Sequence, residues 1–269
     1  MKFFLQTFFF VLGFVFFTEE STQAQNTPGQ NTYNQNTFLQ DPRFNQVLDS
    51  LLCRQLILVL SDNWNSLQGT LYTYEKKNGH WNLSFSNKVV LGSKGIGWGD
   101  GVLSTLKEIG PRKVEGDLKS PAGIFSLGTA FGYANTQKVR WLKWPYIKAS
   151  DTLICVDDMH SKYYNSLINS NISTPDWKSF EKMRRQDPFY KWGLFINHNH
   201  NPVQPGDGSC IFMHIWKNDH SGTEGCTAMK EKNLLKVLFW LRYDFHPLLV
   251  QIPKEFLSKF SEKYSSPKY

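Results

Sequence analysis

Residues 208–229, GSCIFMHIWKNDHSGTEGCTAM, begin as a strand and end on a cysteine. In GSCIFMHIW (208–216) the two-residue period of a strand puts Cys210, Phe212, His214 and Trp216 on one face. Ile211, Met213 and Ile215 fall on the other. Phe212 and Trp216 flank His214, so its face is not plain solvent. A polar loop, KNDHSGTEG (217–225), follows and delivers Cys226 directly after Gly225.

That order suits nucleophilic catalysis. A strand holds the imidazole, and a loop that doubles back sets the thiol beside it. A Cys close to a His and to a helix N-terminus is expected to have a lowered pKa. Backbone N–H groups of Gly225, Cys226 and Thr227 are free to converge on one point, as an oxyanion requires. His214 would need an orienting group, and a backbone carbonyl, Ser221 or Thr223 could supply it. Glu224 beside the thiol would raise its pKa by like-charge repulsion, so its side chain is expected to point away. The bland alternative is a core histidine and a buried structural thiol.

Two rivals use the same residues. His198, His200, His214, His220 and Cys226 lie within about thirty positions and could be gathered around zinc, which needs three or four converging ligands. No HExxH or paired CxxC accompanies them, and no metal or other cofactor is expected. Cys53, Cys155, Cys210 and Cys226 allow two disulfides, and a bridge through Cys226 would end the thiol reading.

Outward from this segment the chain reads as many short strands. LILVL (56–60) is a compact apolar run, and HPLLVQIP (246–253) a closing strand. GTLYTYEKK, then Asn78–Gly79, then HWNLSFSNKVVL, reads as a β-hairpin. GLFINHN (193–199) is another strand. GSKGIGWGDG (92–101) lacks phosphate-loop spacing and reads as a turn where backbones approach closely. GPRKVEGDLKSPAGIFSLGTAFGYA, from Gly110, reads as turn-rich, and 150–190 as a polar, Tyr-rich insert. Helices are expected at Phe44, Val47, Leu48, Leu51 and Leu52, and over KEKNLLKVLFWLR (230–242) with Leu234, Val237, Leu238 and Leu241 inward. Without βαβ alternation, a mainly β domain follows, a sandwich or open barrel with a few peripheral helices. Trp98, Tyr133 and Trp216 read as core by default, and Asp157 and Asp158 as turn caps unless they meet a cleft.

The ends of the chain are different. Lys2 precedes an apolar run from Phe3 to Phe17, and small residues lead to Ala24. This is the pattern of a secretory signal peptide over 1–24, and the run is short for a membrane anchor. Residues 25–40, rich in Asn, Gln and Thr, are expected to be a disordered linker. Residues 41–55 form a helical lead-in, 56–253 the catalytic domain and 254–269 a tail. Across 269 residues, 41% are hydrophobic and 15% aromatic, which excludes a disordered or collagen-like chain. The net charge is +7, and +8 once 1–24 (Lys2 against Glu19 and Glu20) is removed. A basic exported protein suits an anionic polymer. No basic block with base-reading aromatics points to nucleic acid, and a monomer without a membrane span is expected.

FMHIWKNDHSGTEGCTAM resembles the active-site segment of the L,D-transpeptidase catalytic-domain (YkuD-like) family. There a strand His is followed by a loop and a Ser/Thr-x-Gly-Cys turn, matched here by His214, Thr223, Gly225 and Cys226. GSKGIGWGDG, EGDLKSPAGIFSLGTAFGYA, CVDDMHSKYYNSL and GSCIFMHIW are similar to one branch of that family, and the likeness spans about 56–252. Glu224 stands where the family has a second His, and Ala228 where it has Arg or Asn. The resemblance implies an exported, cofactor-free enzyme of the bacterial cell envelope acting on peptidoglycan stem peptides. Cys226 would attack the carbonyl of the third stem residue and form a thioester, with His214 as base and acid. An amine acceptor gives transpeptidation, and water gives L,D-carboxypeptidase activity. A non-catalytic wall-binding module and a zinc hydrolase are the remaining alternatives.

Overall fold

The structure is a computed structural model that describes residues 35–103, 110–171 and 174–259. The expected signal peptide at 1–24, residues 25–34 of the expected linker and 260–269 of the tail lie outside the described residues.

The fold is mainly β. Gln55–Ser61 (β1) is buried at every position, as its apolar run demands. Gln68–Lys77 (β2) and His80–Val90 (β3) form the expected hairpin. Its turn residues Asn78 and Gly79 have φ of 52° and 80°, the positive angles a tight two-residue hairpin needs. Ile96–Trp98 (β4) lies inside the glycine-rich turn. A Cβ on Gly95, at φ +83°, would sit 2.0 Å from the Trp64 carbonyl oxygen, so the close approach read from the sequence is real.

Ser120–Gly132 (β5) is a correction. The stretch expected as turns is the longest strand, buried along most of its length. It pairs in turn with β4, with Leu248–Pro253 (a late strand, β13), with Tyr146–Lys148 (β6) and with Trp192–Ile196 (β10). Its small residues let one strand serve several neighbours, and this composition is what made it look like loop.

Phe212–Ile215 (β11) and Thr227–Met229 (β12) complete a ring in which β10, β11, β12, β3, β2, β1, β13 and β5 pair in sequence and β5 pairs back to β10. The barrel is therefore closed, not open and not a sandwich. Closure leaves those strands no unpaired edge.

The insert folds as its own three-stranded sheet from Leu153–Val156 (β7), Ser166–Asn169 (β8) and Phe180–Lys182 (β9). A disulfide between Cys155 on β7 and Cys210 just before β11 ties it to the barrel. Buried Asn165 adds a second tie, accepting from Cys210 N–H at 2.9 Å and donating to the His198 and Asn199 carbonyls.

Pro42–Ser50 (α2) starts as expected, with Pro42 in the first turn and Asp41 accepting from Arg43 N–H. Phe44 and Leu48 are buried, while Leu52 lies past the helix at φ 57° and is exposed. Residues 35–40, expected as disordered linker, are a helix, Gln35–Gln40 (α1), because Phe38 and Leu39 pack into the core. Fully burying such a side chain stabilises by about 1.5–3 kcal/mol, enough to hold a turn that would not persist alone. Glu231–Trp240 (α3) buries Leu234, Val237 and Leu238. The tail begins with Phe256 packed against Trp64 and Trp98. Among the described residues no helix is long and apolar enough to cross a membrane.

Cys53 and Cys226 are free and buried. Thiol titration of the unfolded, unreduced chain is expected to count two thiols, and four after reduction. The bridge encloses 55 residues of separation, so C155S/C210S is expected to lower unfolding free energy by about 4 kcal/mol on loop-closure grounds, read from urea denaturation.

Candidate active site

Strand alternation divides β11 between two clusters. Ile211, Met213 and Ile215 join the main core. Phe212, with Cys210 and Cys226, joins a smaller cluster beneath the insert, which includes Phe131, Tyr190 and Phe195. The strand is shorter than the sequence reading: Cys210 has φ 54° and belongs to the disulfide, not to the ladder.

β11 and β12 run parallel, with His214 opposite Ala228 and Met213 opposite Thr227. Cys226 precedes this ladder by one residue, on the same side as His214. Phe212 N–H donates to Cys226 Sγ at 3.3 Å, and Sγ lies 3.7 Å from the Cys210 carbonyl oxygen. Cys226 and His214 line one cavity of about 420 Å³, walled also by Lys113, Glu115, Glu181, Arg185, Tyr190 and Trp216.

The backbone at Cys226 is clamped. Its carbonyl accepts from Ser120 Oγ at 2.7 Å and from Thr223 Oγ1 at 2.6 Å. Ser120 Oγ also accepts from Gly92 N–H, and Thr223 exchanges backbone hydrogen bonds with Leu91 and Ser93. The glycine-rich turn thereby holds the cysteine loop. Gly225 has φ +140°, and a Cβ there would meet the Lys119 carbonyl oxygen at 3.1 Å.

His214 is oriented by a backbone carbonyl. Its Nδ1 lies 2.9 Å from the Ile215 carbonyl oxygen, which can only accept, so Nδ1 carries the proton and Nε2 is the basic nitrogen. Ser221 lines the cavity but does not orient the ring; its N–H donates to Asn218. Thr223 acts on Cys226 instead. Tyr190 packs edge-on to His214, with ring centres 5.2 Å apart.

Burial sets both ionisations. It depresses His214 to about 4, opposed by the Ile215 hydrogen bond, with Arg185 lowering it further. It also pushes the Cys226 thiol well up, and the Glu181 carboxylate adds to this, against the Phe212 N–H and Lys113. The expected lowering of the thiol pKa is thus reversed. β12 intervenes between Cys226 and α3, so the cysteine does not stand at the N-terminus of that helix. Glu224 is exposed, lines the cavity and contributes to the rise.

The three amides assigned to an oxyanion hole separate. Gly225 N–H donates to Thr223 Oγ1 at 3.2 Å, and Thr227 belongs to the β12 ladder, its hydroxyl donating to Gln251 in the core. The Cys226 N–H is used by neither. Trp98 is core, packed on Trp64 and Phe256, and Tyr133 bonds the backbone at Arg185 and Asp187. Asp158 caps a turn through the N–H groups of His160 and Lys178, whereas Asp157 reaches the cavity.

The other histidines do not gather. His198 is buried and held to about 4 by that burial, with Nδ1 accepting from Asp100 N–H and Nε2 donating to the Asp207 carbonyl. His200 and His220 are exposed. Among the described residues no group of three His, Cys, Asp or Glu is placed to hold a metal ion.

Sequence reading missed Ser120, Lys113, Glu181, Arg185 and Tyr190. The first lies about a hundred positions from Cys226, and nothing local marks it.

No protein-family model matches the chain, and no curated protein matches it either. Among solved structures the chain is similar to Bdellovibrio bacteriovorus Bd1075, with a TM-score of 0.37 and 12% identity over 79% of this chain and 55% of that one. It thus spans about half the length of that structure.

Ser120→Ala with Thr223→Val strips both side-chain donors from a buried carbonyl. The double variant is expected to lose about 1–3 kcal/mol in urea unfolding, more than either single change. Alkylation of its Cys226 by a small electrophile is expected to be faster than in the parent chain.

Proposed function

We propose that the chain is an exported cysteine acyltransferase of peptidoglycan stem peptides, an L,D-transpeptidase with the corresponding fold, working at the cell envelope. The observation that carries this reading is a thiol and an imidazole lining one cavity, with Nδ1 committed to the Ile215 carbonyl and Nε2 left basic. The resemblance of residues 212–229 to the family's active-site segment supports the same chemistry.

Because burial keeps the thiol protonated and the imidazole neutral, the resting pair is not an ion pair. Nε2 takes the Sγ proton as sulfur attacks the carbonyl of the third stem residue. The carbonyl oxygen becomes an oxyanion, with the Cys226 N–H as a candidate donor. The imidazolium then returns the proton to the departing amine of the terminal D-residue, and the C–N bond breaks. A thioester remains on Cys226. An amine from a second stem attacks it and the cross-link forms, or water attacks and the stem is trimmed. Either acceptor gives its proton to His214 and the thiol is restored. The hydrolytic outcome is the second form of this reading, since Glu224 and Ala228 stand where family groups that help orient substrate would be.

Incubation with disaccharide-tetrapeptide is expected to give a thioester on Cys226, seen by intact-mass spectrometry, with cross-linked dimer or tripeptide product. Cys226→Ala should give none. His214→Gln should slow acylation by about 10²–10⁴-fold. Absence of any Cys226 adduct in the parent chain would sink the proposal.

The pH profile is a second check. His214 acts only when unprotonated, and its depressed value of about 4 lies below the ordinary 6.5. The acid limb of acylation should therefore fall near pH 4, with activity kept at pH 6. Glu181, raised to about 7 by burial, titrates in the same cavity, and repeating the profile with Glu181→Gln separates its contribution.

A further inference from the structure

Four carboxylates and three cations line the reaction cavity: Glu115, Asp157, Glu181 and Glu224, with Lys113, Arg185 and Lys217. Glu115, Lys113 and Arg185 have partners within the protein. Glu115 takes hydrogen bonds from Tyr164 and from Ser209 Oγ. Lys113 Nζ is held by Asp117 at 2.6 Å and the Val114 carbonyl at 2.7 Å. Arg185 forks onto Asp187 through Nε and Nη2.

Asp157 and Glu181 are different. Asp157 Oδ1 is fully buried and has no hydrogen-bond partner. Glu181 receives the Tyr190 hydroxyl on one oxygen, at 2.5 Å, and among the described residues its other oxygen takes no hydrogen bond or ion pair. The two share a face of the insert sheet. Glu181 pairs with Cys155 across β9 and β7, and Asp157 follows Cys155 by two residues. That face is pinned over the cavity by the Cys155–Cys210 bridge, and the Cys210 carbonyl touches the Cys226 sulfur. Asp157 and Glu224 disfavour the charge on Glu181 and Arg185 favours it, so three carboxylates and one guanidinium act on one small volume.

Like charges held together beside an unpartnered buried oxygen call for a cationic ligand group. A primary ammonium fits, since it brings three donors and one positive charge to carboxylates that, once ionised, only accept. From this geometry we infer that Asp157 and Glu181 form a subsite for a primary ammonium group of the stem-peptide substrate, beside the nucleophile. The inference rests on the acyltransferase reading and gives the insert a role, that of choosing stems by a free amino group. The ammonium can come from the donor's third residue or from the acceptor stem.

The test measures Cys226 acylation by intact-mass spectrometry, in the mature full chain, with two donors. One is a disaccharide-tetrapeptide with a free amine on its third residue, and the other is the same compound N-acetylated there. A donor subsite predicts acylation at least about tenfold faster with the free amine, a preference falling below about threefold in Asp157→Asn and in Glu181→Gln. An acceptor subsite predicts equal acylation, with decay of the N-acetylated thioester accelerated by an amine-bearing stem in the parent chain and less in Asp157→Asn. Equal acylation together with acceptor-driven decay unchanged in Asp157→Asn overturns the subsite and leaves the acyltransferase reading standing. No adduct with either donor overturns both. The two-donor comparison needs only the parent chain, so a variant that fails to fold does not decide it.

Discussion

The parallel pairing of Met213, His214 and Ile215 with Thr227, Ala228 and Met229 is the constraint on which the site depends. Parallel neighbours cannot be joined by a tight hairpin, so the chain must leave the sheet after Trp216 and return from the other end. The return brings Cys226 in just ahead of the ladder, on the side of His214. Ser120 and Thr223 then fix the returning backbone through its carbonyl. The thiol is thereby held by strand pairing and two hydroxyls, with little left to loop flexibility.

Burial is the second consequence. His214 and Cys226 are each under a tenth exposed, and desolvation drives their ionisations in opposite directions. A thiol kept protonated is a poor target for oxidants and alkylating agents, since the thiolate is the reactive form. For a chain exported as proposed, this protects the sulfur until a substrate carbonyl draws the proton to Nε2. The cost is a slower attack unless the site supplies donors for the developing oxyanion.

The insert completes the enclosure. Leu153 and Cys155 of β7 belong to the cluster that buries Phe212 and Cys226. The disulfide and Asn165 hold that small sheet in place, and Tyr190 packs between Glu181 and the imidazole. Its Glu181 carboxylate reaches the thiol electrostatically, so a segment that reads in sequence as a polar interruption shapes the chemistry of the cavity.

Local physics made much of this molecule readable from its residues. Asn78–Gly79 specified a hairpin, the alternation in 211–215 separated two cores, and the leucines of 234–241 specified a helix. Each signal lies within a few positions of the structure it sets. The His and Cys were also legible, as residue types on a strand and after a glycine. Tertiary structure alone decided the rest. Barrel closure through β5, the Cys155–Cys210 pairing, the Ser120 hydroxyl on Cys226 and the Ile215 carbonyl on His214 are matters of spatial meeting. The upward shift of the thiol came from burial, which no neighbour in the chain announces. Helix α1 formed in a stretch of linker composition because a distant core accepts Phe38. Spacing along a chain fixes which faces are apolar, but which faces meet depends on closure of the whole sheet.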